Sequence, residues 1–194
     1  VVPFEHHIDA SATGYFAYEP KRNEQRSAPW AAAGAIGGGL GIGCRGRPWA
    51  PFLRATLAGG YDGSHDEAYG KLRLGAGYRH TLNPLLLETS ITAGPVLTRW
   101  GHGGGGGLTV GLGLPAGSGD KGAKYTTFDH LMIEAVIDLR TLEQRSDAFV
   151  IQRRTQLFFG LRLRALRRRV PRCWGPGPNR FQSTRSIAHR DVPQ

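Results

Sequence analysis

Lys71-Leu-Arg-Leu-Gly-Ala-Gly-Tyr-Arg79 decides the class of fold. Leu72, Leu74, Ala76 and Tyr78 fall on one side of an extended chain, and Lys71, Arg73, Gly75, Gly77 and Arg79 fall on the other. That period of two belongs to a strand, whereas a helix returns its apolar residues every third or fourth place. The same alternation runs outward in both directions. Leu53, Ala55, Leu57, Gly59 and Tyr61 oppose Arg54, Thr56, Ala58, Gly60 and Asp62, and Leu87, Thr89, Ile91 and Ala93 oppose Glu88, Ser90, Thr92 and Gly94. Further along, Leu131, Ile133, Ala135, Ile137 and Leu139 oppose Met132, Glu134, Val136, Asp138 and Arg140. Leu157 to Ala165 alternates likewise with Gln156, Phe158, Gly160, Arg162 and Arg164.

Two glycine-rich stretches obey the rule: Ile36, Leu40 and Ile42 among Gly37 to Gly43, and Leu108 to Leu114 among Gly107 to Gly113. With a weaker segment around Tyr15, Phe16 and Tyr18, eight strands are expected near 13–20, 31–45, 52–62, 68–80, 86–99, 107–114, 125–141 and 150–166. Turn chemistry separates them at Gly46-Arg47-Pro48, Asp62-Gly63, Asn83-Pro84 and Pro115 to Gly122. The expected fold is all-β, an antiparallel up-and-down barrel of about eight strands over 13–166, with an N-terminal extension at 1–12 and an irregular basic tail at 167–194.

Composition agrees. The 194 residues suffice for one domain, and 29 glycines are about twice ordinary usage. Ser27 to Cys44 and Trp100 to Gly119 contain no Asp, Glu, Lys or Arg, but their many glycines and Pro115 exclude a spanning helix. The only methionine is Met132, so a chain opening at Val1 is the expected product of removing an upstream segment, such as a secretory signal.

Alternation permits two opposite barrels: apolar side inward and soluble, or apolar side outward against lipid. Three features lean to the second. Rows of glycine lie on the polar face, where a narrow barrel needs room for long charged side chains. Aromatic residues stand near strand ends as two candidate girdles: Trp30, Trp49, Tyr61, Tyr78, Trp100, Tyr125 and Phe149. Several strands exceed ten residues, enough to cross a bilayer at a tilt.

On that alternation and girdle placement, residues 13–166 resemble the small eight-stranded outer-membrane barrels with filled interiors. The resemblance implies a non-enzymatic structural, anchoring or interaction component of a bacterial outer membrane, with the lipid bilayer as partner and both termini on the periplasmic side. One departure is that such chains often end on the last strand with an aromatic residue, whereas here 28 residues follow strand eight. The implied interior set is Arg54, Lys71, Arg73, Arg79, Glu88, Glu134, Asp138, Arg140, Arg154, Arg162 and Arg164. Eight cations against three carboxylates leave a positive excess, and eight strands leave room for a salt-bridged plug rather than a channel.

Motifs for chemistry are weak. Gly41-Ile-Gly43-Cys-Arg-Gly46 has dinucleotide-loop spacing, but Pro48 and Pro51 follow where a helix must start. Ser64-His65-Asp66-Glu67 is four neighbours on one turn, and catalytic groups converge from separate elements, so a solvated polar loop is expected. No catalytic residue, metal site or cofactor is assigned. Cys44 and Cys173 fall on the same side in the implied topology, and a disulfide between them is expected.

The tail holds Arg167, Arg168, Arg169, Arg172 and Arg180, with Trp174 and Phe181 among them, and suits a protein partner. The formal charge of +10 first suggests nucleic acid, as for a soluble all-β protein with a basic arm. A soluble barrel around a small apolar ligand is the third reading.

Overall fold

The computed structural model describes residues 4–18, 30–43, 48–82, 84–99, 101–116, 128–145 and 151–171. Eight strands form one closed barrel: β1 (Phe4–Tyr18), β2 (Trp30–Ile42), β3 (Trp49–Asp62), β4 (Glu67–Leu82), β5 (Leu85–Thr98), β6 (Gly101–Pro115), β7 (His130–Arg145) and β8 (Ile151–Arg169). Each pairs antiparallel with its sequence neighbours, and β8 closes on β1.

Several boundaries differ from the sequence reading, and three of them bear on the interior. The expected N-terminal extension is strand: β1 begins at Phe4, pairing His6 with Leu40 and with Arg169. Arg167, Arg168 and Arg169, assigned to the tail, are the end of β8. Gly103 to Gly106, expected to precede strand six, lie with Gly107 inside β6 between β5 and β7. Glycine is a poor strand former alone, and here the ladders on both sides hold it.

The register fixes the shape. A walk across paired residues from His6 passes Leu40, Leu53, Ala76, Ile91, Leu108, Ile137 and Phe159, then re-enters β1 at Phe16, ten residues further on. That stagger over eight strands tilts them by about 42° and gives a backbone radius of about 8 Å. Each residue then advances roughly 2.5 Å along the barrel axis.

The two faces separate cleanly. Among the described residues thirty large apolar side chains are exposed, drawn from every strand, including Ile36, Leu53, Leu74, Ile91, Val110, Ile133 and Leu161. The buried set between them is rich in Arg, Lys, Asp and Glu. Among the described side chains, the ionisable residues that face outward on strands are His6, His80, His102, Glu143, Arg153, Arg167 and Arg169. None is further than third from its strand end. The middle of the outer wall is therefore uncharged.

Inside, glycine rows answer charged rows. Gly37, Gly39 and Gly41 of β2 face Asp9, His7 and Glu5 of β1, and a Cβ on each would lie 3.0 Å or less from one of those side chains. Gly111 and Gly113 do the same for Glu134 and Met132, and Gly105 for the guanidinium of Arg73. By contrast, a Cβ on the outward Gly34 or Gly70 would meet nothing within 4 Å.

Candidate functional site

All eleven residues assigned to the interior from sequence lie there; nine are buried and Arg154 and Arg162 are half-buried. The structure adds Glu5, Asp9, Asp62, Glu67 and Arg168, together with Gln156 and a set of aromatic rings. Glu5 and Asp9 were missed because residues 1–12 were read as an extension, although Glu5, His7 and Asp9 alternate with Phe4, His6 and Ile8. With these additions nine cations meet seven carboxylates. The large positive excess read from sequence is corrected to a near balance, as buried charges require.

At the end where β1 begins and β8 finishes, ion pairs link six strands. Arg79 donates through Nε and Nη2 to Glu88 Oε2, at 2.9 and 2.8 Å, and through Nη1 to Glu5. Arg168 Nη2 reaches the other oxygen of Glu5 at 2.9 Å. Arg164 Nη2 lies 2.5 Å from Glu88 Oε1 and 2.5 Å from Glu134 Oε1, and its Nη1 lies 3.7 Å from Asp9 Oδ2. Arg54 Nη2 holds Asp9 Oδ1 at 2.5 Å, and Arg162 Nη1 holds Glu134 Oε2 at 3.3 Å. Phe52 packs against this cluster, with His7 edge-on at 5.5 Å and the Arg79 guanidinium 4.6 Å from its ring centre. Leu86, Met132 and Leu166 form a small apolar plug beside it.

A second layer centres on Asp138. It accepts from Lys71 Nζ at 2.7 Å, Arg73 Nη2 at 2.9 Å and Arg140 Nε at 3.2 Å. Three cations on one carboxylate are eased by ring faces: the Arg140 guanidinium sits 4.0 Å from the ring centres of both Tyr69 and Phe158. Such cation–π contacts are worth up to about 2 kcal/mol when desolvated. Tyr15 closes this layer, accepting from Lys71 Nζ at 3.3 Å and packing on Phe158.

The third layer lies at the far mouth. Arg154 Nη2 pairs with Glu67 at 3.2 Å, and Gln156 Nε2 donates to Asp62 Oδ2 at 3.1 Å. The turn at residues 63–66 is not the solvated loop expected. Asp62 Oδ1 caps the Ser64 amide at 3.0 Å, and His65 folds inward to within 3.3 Å of Asp62 and 3.0 Å of Gln156. Asp66 and Glu67 do not converge on His65; Asp66 instead accepts from Tyr61 Oη, and Glu67 from Arg154. Gly41, part of the dinucleotide-like spacing, lies within β2 rather than before a helix.

No family model, curated protein or solved structure matches the chain.

The aromatic residues divide by end. Trp30 and Tyr61 lie 5.9 Å apart at one rim, and Trp49 stacks on Tyr78 at 6.5 Å at the other. Trp49 and Tyr61 are the two ends of β3's outer face, twelve residues apart, hence about 30 Å apart along the axis. Trp100, Tyr125, Phe149, Cys44, Cys173, Arg172, Trp174, Arg180 and Phe181 lie outside the described residues.

Proposed function

We propose that this chain is a bacterial outer-membrane β-barrel that acts without catalysis, as a structural, anchoring or interaction component. The observation that carries the reading is the distribution of charge across the wall. Ionisable side chains point inward or stand at the rims, and the outer band between the rims is apolar. Water would penalise thirty exposed large apolar residues, while lipid solvates them. The spacing of the two aromatic pairs, about 30 Å, suits the thickness of a hydrocarbon core. Closure removes every strand edge, so no backbone group needs water in the band.

The interior supports a plug rather than a conduit. A backbone radius of about 8 Å is filled by side chains, and here three layers of ion pairs, rings and amides occupy it. A soluble barrel for an apolar ligand calls for an open apolar interior, and this one is filled by paired charges with rings and small apolar clusters packed among them. Of the basic residues in the described strands, most are paired inside and unavailable to a nucleic acid.

Folding into detergent micelles or vesicles, followed by electrophoresis with and without heating, tests the proposal. A band whose mobility changes on boiling, from a protein that floats with vesicles, is the expected result. A monodisperse protein in plain buffer without heat-modifiable mobility would overturn it.

A further inference from the structure

We propose that the outward rim formed by His6, Arg167 and Arg169 binds the phosphate headgroup of an anionic phospholipid, in the leaflet at the start of β1 and the end of β8. This inference rests on the membrane reading above and adds a ligand to it. The run Arg167-Arg168-Arg169 lies on a strand, so its side chains alternate. Arg168 turns inward and pairs with Glu5, while Arg167 and Arg169 turn outward and are exposed. Across the β1–β8 ladder they stand opposite Ile8 and His6. Among the described residues no carboxylate pairs with either outward guanidinium, in contrast to the nine cations inside.

These residues line a cavity of about 260 Å³. Two guanidinium groups two residues apart on one face, about 7 Å along the strand, present several N–H donors to one region. Arginine is the side chain best matched to phosphate oxygens, since it can donate two parallel hydrogen bonds. By the register, Arg167, Arg169 and His6 stand at the level of Trp49 and Tyr78, the depth at which headgroups begin on this reading.

What favours a lipid over free phosphate is the wall above the cavity. Beyond Ile8, which belongs to the rim cavity, the next outward residues on the same two strands are Ala10 and Ala12 of β1 and Ala165 and Leu163 of β8. They line an apolar groove of about 730 Å³. A phosphate held at the rim thus places an acyl chain along small residues that leave it space. Charge and groove together specify an amphiphile.

The full chain is first mixed with phosphatidylcholine vesicles and floated; failure to float sinks the membrane reading itself. A protein that floats is then taken into micelles doped with phosphatidylglycerol or phosphatidylcholine and examined by native mass spectrometry. Retention of phosphatidylglycerol over phosphatidylcholine is expected, falling roughly thirtyfold in Arg167→Gln/Arg169→Gln, or about fivefold per arginine. Arg153→Gln, at the opposite rim, is expected to leave retention unchanged. Equal retention of the two lipids by the parent protein overturns the proposal, whatever the fate of the variants. Equal displacement by millimolar glycerol phosphate would overturn the lipid assignment in favour of a free phosphate.

Discussion

Removing one buried cation should show whether the ion network holds the barrel together. Arg164 is fully buried and stands between three carboxylates, Glu88, Glu134 and Asp9. Arg164→Met keeps most of the stem and deletes the charge. Glu88 would keep Arg79, Asp9 would keep Arg54, and Glu134 would keep only the 3.3 Å contact to Arg162. Breaking a buried pair by removing one partner costs about 3–5 kcal/mol, because the other charge is left uncompensated in a low-dielectric interior. With a urea m-value of about 2 kcal/mol per M, a loss of about 4 kcal/mol lowers the unfolding midpoint by about 2 M.

The assay is reversible urea unfolding of the barrel in micelles, followed by tryptophan fluorescence. Arg153→Met is the internal control. Arg153 also pairs with a carboxylate, Glu143 at 3.5 Å, but both side chains are exposed. An exposed pair contributes less than about 1 kcal/mol, so this midpoint should barely move. Adding Glu134→Gln to Arg164→Met should recover part of the loss, because Glu134 is the carboxylate left with only the 3.3 Å contact to Arg162. If the two arginine variants shift the midpoint equally, the interior network is not what stabilises the fold and the inward assignment of β8's even residues fails.

Other outcomes follow from the same wall. Gly111→Leu puts a side chain where its Cβ alone would lie 2.7 Å from Glu134 Cγ, and overpacking of this kind costs about 1–3 kcal/mol; Gly70→Leu, pointing into open space, should not destabilise in the same unfolding assay. Single-tryptophan proteins retaining Trp30 or Trp49 should be quenched best by shallow lipid labels, and Leu57→Trp, near the middle of the outer band, by deep ones. Insensitivity of Leu57→Trp to deep labels would contradict the membrane reading. Reduction should raise the intact mass by two hydrogens, reporting a bridge between Cys44 and Cys173; an unchanged mass excludes it.

The strands themselves were legible because side-chain period does not depend on partners: Leu131 to Arg140 reads as strand whatever lies beside it. Ends and glycines were not, for the opposite reason. The local signal in Phe4 to Ala12 is weak: Glu5, His7 and Asp9 alternate with Phe4, His6 and Ile8, but His6 is polar on the outward side and Ala10 and Ala12 are small. Only pairing with β2 and β8 gives those acids their cations and turns the segment into wall. Gly103 to Gly107 is similar, with no side chains to alternate and its place set by Arg73 and by the ladders to β5 and β7.

The charge shows most clearly what a sequence alone withholds. Read position by position, eight cations and three carboxylates on the polar face give a salt-bridged plug with a positive excess. That count depends on where β1 begins. Starting the strand at Phe4 adds Glu5 and Asp9, and the mouth adds Asp62 and Glu67, while only Arg168 joins the cations. The glycines opposite Glu5, His7 and Asp9 then acquire a purpose, since no side chain on β2 could share that space. Small residues on one strand and acids on the next are two halves of one packing decision. Their sequence separation of about thirty residues is why neither half explained the other until the register joined them.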